Sequence, residues 1–93
     1  MLDNEILIGN KPLMNYVTAI LTQLKEQKTI IIMARGAAIK KAIDAVEITT
    51  KQFYKHPTTT TITTNSTTLI NENNVKQTVS SIKIILNKQH RSN

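Results

Sequence analysis

Ninety-three residues are predicted to form one domain over 1–93, with an ordered core of about 5–88. A chain of this size buries only roughly 60 to 65% of its unfolded surface, so a partner subunit would add to a modest core. The absence of cysteine excludes a disulfide framework and a thiolate zinc site. Twelve Lys and Arg against six Asp and Glu leave a charge of +6 and a pI of about 9.9, which a symmetric dimer would double. That excess points to a polyanion (DNA, RNA or an anionic membrane surface), the plain alternative being solvated lysines that keep a small protein in solution.

The N-terminus, with Asp3 and Glu5, has no signal-peptide layout, and no apolar run reaches the ~18 residues of a membrane span. A soluble intracellular protein with no membrane contact is therefore expected. The first predicted element is a short strand, EILI (5–8), ended by Gly9 and Asn10. Pro12 suits the first position of a helix, where a missing N–H costs nothing, and the helix is predicted to run to about Glu26. Leu13, Val17, Ile20, Leu21 and Leu24 fall on one face of it, with Asn15, Thr18, Thr22 and Lys25 mostly opposite. The run TIIIMA (29–34) is short, apolar and β-branched, and reads as a strand covered on both faces.

Gly36 introduces a second helix whose apolar stripe is Ile39, Ala42, Ile43, Val46, Thr50 and Phe53. Lys40, Asp44, Glu47 and Lys51 fall on its solvent side, where Lys40 and Asp44 are one turn apart. His56-Pro57 ends that helix. Fourteen threonines, many of them in TTTTITTNSTTLI (58–70), favour a long strand there. NENN (71–74) supplies turn residues, and VKQTVSSIKIIL (75–86) returns. Val75 and Val79 occupy odd positions but Ile82, Ile84 and Leu86 even ones, which predicts a bulge or twist at Ser80-Ser81 where an exposed arm leaves the sheet. The tail NKQHRSN is expected to fray. The sum is an α+β fold, a β-α-β-α-β-β two-layer sandwich. It has a mixed four-stranded sheet with both helices on one face and a long C-terminal hairpin arm.

IGNKPLMNYV followed by ARGAAIKKAIDAVE resembles the Alba family of archaeal chromatin proteins. The match is densest at Gly9, Lys11-Pro12, Met14 to Val17, Ala34 to Gly36 and Ala42 to Glu47, and extends from about Glu5 to Lys88. The resemblance implies the same order of elements, related to the C-terminal domain of a translation initiation factor. It implies a homodimer that binds double-stranded DNA, and RNA as well, with little sequence preference, in the cytoplasm and on the chromosome. In that picture basic residues at the start of the first helix and between second strand and second helix lie on the DNA backbone, and the hairpin arms follow the minor groove. Further assembly along DNA, or a heterodimer with a paralogue, belongs to the same picture, as does acetylation of lysine near the start of the first helix. Three positions depart from the pattern. Asn10 stands where a first lysine is common, Ala37 stands where a further basic residue is common (Lys40 partly offsets it), and the hairpin tip carries Glu72 in place of arginines.

Lys11 and Arg35 each follow a strand end and precede a helix, so two cations and two helix N-termini are expected on one sheet edge, where they would meet phosphates. With Asn10 at its mouth, this edge is the proposed nucleic-acid-binding surface; the alternative is ordinary solvated side chains. Lys40 and Lys41 are adjacent, and only one shares the edge with Arg35: Lys41 matches the family's lysine, Lys40 is the better solvent-face residue. Lys76 and Lys83 on the returning strand are further candidates, or charges that blunt a sheet edge. Phe53 is assigned by the resemblance to contacts between dimers, in preference to base stacking with Tyr54. Tyr16 reads as core or interface.

No Walker-type phosphate loop occurs. His56 and His90 stand alone, and Asp44 with Glu47 reads as an ordinary charged helix face, so no metal site, cofactor or catalysis is expected. Two other readings stand beside duplex-DNA binding: a mainly RNA-binding or ribonuclease-associated protein, and a scaffold whose basic charge is incidental.

Overall fold

A computed structural model describes residues 4–89. The elements are β1 (Glu5–Leu7), α1 (Leu13–Glu26), β2 (Thr29–Arg35), α2 (Ala38–Ile48), β3 (Thr58–Ile70) and β4 (Lys76–Lys88), in the expected order. They form a mixed sheet of four strands in the order β1-β2-β4-β3, with β1 parallel to β2 and β4 antiparallel to both its neighbours. The returning strand of the hairpin thus enters the centre of the sheet and leaves β3 at the edge.

Both helices lie on one face. Ile30, Ile32 and Ala34 of β2 and Ile82, Ile84 and Leu86 of β4 point into that layer with Ile6 and Ile8, and meet Val17, Ile20 and Leu24 of α1 and Ala42, Ala45 and Val46 of α2. Each of the large aliphatic side chains contributes about 1.5–3 kcal/mol by leaving water. The expectation that 29–34 would be covered on both faces is corrected. Burial alternates along β2, and Ile31 and Met33 are only half-buried, because no element among the described residues lies over the second face. The apolar run arose because β2 is apolar on both sides, not because both are roofed.

Pro12 is the residue before α1 and not its first helical one: its ψ of 149° is extended, and its carbonyl accepts the Asn15 N–H at 3.0 Å. In α2 the buried stripe runs through Ala42, Ala45, Val46 and Thr49, rotated from the predicted one, so that Ile43 is left 38% exposed. The hydroxyls of Thr49 and Thr50 donate to the carbonyls of Ala45 and Val46 at 2.7 and 2.9 Å. These bonds compete with the backbone, and the helix widens into a π-helical turn, Thr49–Phe53, closed by Tyr54 N–H to the Thr49 carbonyl. The wider turn takes Phe53 off the stripe and leaves it half exposed.

The predicted bulge at Ser80-Ser81 is absent: β3 and β4 pair in unbroken register from Thr58 with Lys88 to Ile70 with Lys76. The change of apolar phase has another cause. From Ser81 to Asn87 the strand also pairs with β2, and there the even-numbered side chains face the helices. Before it, from Lys76 to Ser80, β4 pairs with β3 alone, as an exposed arm. At the tip Asn71 Oδ1 accepts the N–H groups of Asn73 and Val75, and Asn74 takes the left-handed φ of 59°. The arm stretches the molecule to 59 Å against 26 and 23 Å in the other directions. Asn87 and Lys88, expected to fray, complete β4, and the rest of that tail beyond Gln89 lies outside the described residues, as does His90.

Candidate nucleic-acid interface

Because β1 and β2 are parallel neighbours, their C-terminal ends open on the same sheet edge. The Ile8 N–H donates to the Met33 carbonyl at 2.8 Å, and beyond this bond the chain turns away from the sheet towards α1. Lys11 and Asn10 stand exposed on the first loop and Arg35 exposed at the start of the second. Gly36 follows in the left-handed region (φ 55°), which L side chains rarely adopt, and its N–H reaches the Ser80 carbonyl at 2.8 Å. This ties the second loop to the place where the arm departs. Neither helix has a side-chain cap or an acidic residue in its first turn; the Asn15 and Ile39 N–H groups bond to the Pro12 and Gly36 carbonyls, and the amides before them face outward to outside acceptors.

Two side chains brace the first loop from beneath. Tyr16, one turn into α1, is buried with its hydroxyl accepting the N–H of Gly9 at 2.9 Å and of Lys11 at 3.1 Å. A Cβ at Gly9 would stand 3.4 Å from that oxygen. Lys41 crosses from α2, its Nζ donating to the Lys11 carbonyl at 2.7 Å and more weakly to that of Gly9 at 3.5 Å. The same ammonium lies 5.9 Å from the centre of the Tyr16 ring, within cation–π range. The Lys11 peptide is thus held on its N–H by Tyr16 and on its carbonyl by Lys41.

Hydrogen bonding from the Lys11 N–H draws the Tyr16 pKa below its ordinary value of 10.0, against the effect of desolvation and helped by the Gly9 N–H and the charges of Lys41 and Lys11. The fold therefore favours the phenolate. Its contribution to stability is absent well below the folded pKa, appears as pH rises through that value, and is complete above the unfolded one. Ultraviolet titration of the folded protein should show a phenolate step below the ordinary range that disappears in Tyr16→Phe.

The same variant separates bracing from charge. Tyr16→Phe leaves every cation in place but strands two backbone N–H groups. Duplex binding by the folded variant should weaken several-fold with an unchanged salt slope. A reduced slope would mean that a phosphate contact itself had been lost, and unaltered affinity would show that the brace does not matter for binding.

The predicted residues fall into three groups. Asn10, Lys11, Arg35 and Lys41 come together at the sheet edge, with Lys41 spent largely on the loop carbonyls. Asn10 does not cap α1, since no side-chain cap is present. Lys40 turns outward to Asp44 at 2.7 Å, a bond that raises its pKa, and Glu47 pairs with Lys51 at 3.7 Å on the same helix. Lys83 stands exposed beside Met33 on the uncovered face of the sheet, whereas Lys76 is out on the arm, paired with Ile70 next to the tip. The brace by Tyr16 went unread in the sequence. The available signal was a tyrosine on an apolar helix face, whose hydroxyl requires a partner when buried. Among the described residues no cluster of three His, Cys, Asp or Glu is arranged to hold a metal ion, and no helix is long and apolar enough to cross a membrane.

Residues 4–69 match the family model described as Alba. The chain is 42% identical over 85 residues to the DNA/RNA-binding protein Alba of Methanoculleus marisnigri, covering 90% of this chain and 92% of that one. It is 42% identical over 90 residues to DNA/RNA-binding protein Alba 1 of Archaeoglobus fulgidus, with 96% and 100% covered. Among solved structures, Alba from Thermoplasma volcanium superposes with a TM-score of 0.80 at 41% identity, over 91% of this chain and all of that one.

Proposed function

This chain belongs to the Alba family, and we propose on that premise that it is a non-enzymatic nucleic-acid-binding protein of archaeal chromatin. It acts as a homodimer, coats or compacts double-stranded DNA with little regard to sequence, and takes RNA as well. The observation that carries the reading is the sheet edge at which Lys11, Arg35 and two uncapped helix N-termini converge with no acidic residue in either first turn. Cations and free amides held there suit phosphate oxygens, and such contacts position a protein without reading bases. Each neutralised phosphate releases condensed counterions, which supplies the affinity. The names of the archaeal relatives, DNA/RNA-binding proteins, support the same reading.

The finer parts have their own support. A groove of about 220 Å³ between α2 and β3, floored by Ile43, Val46, Ile62 and Ile84, suits a second copy of the chain. The arm projects beyond the body far enough to follow a minor groove, with Lys76 as its cation and Glu72 limiting the attraction at its tip. Phe53, half exposed beyond α2, is free for a neighbouring dimer or a paralogue along DNA. Binding to two unrelated duplexes and one structured RNA, each titrated with salt, tests the whole. Log affinity should fall linearly with log salt at a common slope for the two duplexes. A flat response would leave the basic edge without a phosphate partner and the scaffold reading in its place.

A further inference from the structure

The face of the sheet turned away from the helices carries a cleft of about 490 Å³. Strand register fixes its plan. Leu7 lies beside Met33, Met33 beside Lys83 and Lys83 beside Thr63, one row across all four strands. In the next row towards the basic edge come Arg35, Ser81 and Asn65. Neighbouring strands are about 4.8 Å apart, and residues two apart on a strand about 6.6 Å. Leu7 and Met33 therefore make an apolar floor of two adjoining side chains, with Lys83 at its side and Arg35 at its end. Leu7 is 56% exposed and adjoins the half-buried Met33, so the floor is open to solvent. No lining residue is acidic; Glu5 sits one row away, beside Ile31.

This pairing of floor and charge selects among ligands. A duplex turns its phosphates outward and keeps its bases stacked inside, so it satisfies Arg35 and Lys83 but has nothing to lay on Leu7 and Met33. An unpaired nucleotide offers both parts within one residue: a flat, weakly hydrated base and a phosphate a few ångströms from it. A small anion would leave the floor wet, and an apolar peptide would leave two cations unanswered. We propose that this cleft is a subsite for an unpaired nucleotide of single-stranded RNA or DNA, its base on Leu7 and Met33 and its phosphates on Arg35 and Lys83. Thr63, Ser81 and Asn65 supply hydroxyl and amide groups for the sugar and the base edge. The subsite rests on the nucleic-acid reading above and deepens it: the loops serve any phosphate backbone, and the sheet face serves strands with open bases.

The test is a Leu7→Ser/Met33→Ser protein, with Leu7→Thr alone as a milder second variant at a position already exposed. Binding is measured to an unstructured RNA oligonucleotide, the DNA oligonucleotide of the same sequence, and a duplex. Affinity for the single strands should fall about tenfold with unchanged salt slope, since no cation is removed, while duplex affinity stays as it was. A loss confined to RNA assigns the subsite to ribonucleotides, and an equal loss on both strands assigns it to base and phosphate alone. Equal weakening on the duplex overturns the proposal, as does unaltered binding to all three. A change of oligomeric mass accompanying the loss would identify the face as a seam between copies instead. A natural-sequence protein that binds duplexes steeply with salt but holds no single strand sinks this subsite and leaves the general reading standing. Failure to bind any of the three sinks both.

Discussion

Replacing Lys11 and Arg35 together by alanine should lower the magnitude of the duplex salt slope by about 3.6 units per dimer, 0.9 for each of four lost phosphate contacts. The two side chains stand at the ends of parallel strands on one edge and are both exposed, so the fold loses nothing it depends on. If variant and parent converge in affinity near 1 M salt, that slope difference amounts to roughly a thousandfold or more near 0.1 M. The loss should be uniform across unrelated sequences, because phosphate contacts carry no base information. A loss confined to one sequence would assign these residues to base reading. An unchanged slope in a folded protein would place the interface elsewhere on the molecule. Each single alanine should remove about half of the effect, Arg35 the larger share, because Lys11 shares its loop with Lys41, whose charge remains.

Local chemistry made most of this fold readable. Strand ends fell at Gly9 and at the Asn-rich tip, and both helices began where their apolar faces began, because those signals depend on neighbours in sequence. What escaped depends on contacts made across the fold. The run 29–34 carries no mark of which face will be covered, and only the placement of both helices on one side decides it. The phase change in 75–86 has two possible origins, an inserted residue or a change of surroundings. The unbroken register of Thr58–Ile70 against Lys76–Lys88 assigns it to the surroundings. The π-helical turn at Thr49–Phe53 had a legible cause in two adjacent threonines, each able to bond one turn back, but whether they do so depends on burial of Thr49. At the candidate site, Lys11 and Arg35 could be paired in advance because a β-α-β unit brings two strand ends to one edge. The brace from Tyr16 and Lys41 spans thirty-two residues of chain in its longest link, and its one local signal, a tyrosine on an apolar helix face, does not say which groups the hydroxyl meets.

Ile62→Asp should take the proposed dimer apart and thereby halve the salt slope. Ile62 sits on β3, at the free edge of the sheet, opposite Ile84 and on the side that faces the helices. It is 56% exposed in the single chain, and Ile43 of α2 across the groove is 38% exposed. Two apolar residues left open on facing elements, flanked by the Glu47–Lys51 pair, have the layout of a seam with an apolar centre and polar rim. About a two-fold axis the same patch meets its own copy, so one substitution places two carboxylates in the seam. Taking a carboxylate out of water there costs several kcal/mol, and each 1.4 kcal/mol is a tenfold change in dissociation constant, so weakening by at least about a hundredfold is expected. The single chain should keep its fold, because the substituted side chain is open to water and the β3–β4 ladder is made by the backbone. Circular dichroism checks this, and sedimentation at dilutions bracketing the parent dissociation constant reads the mass. A separated chain offers one basic edge in place of two, hence half the phosphate contacts. Ile62→Val, which keeps the apolar contact, should restore both mass and slope. If Ile62→Asp sediments as a dimer, the seam lies on another face; if it is monomeric with the full slope, a single chain already makes every phosphate contact and the dimer does not set their number.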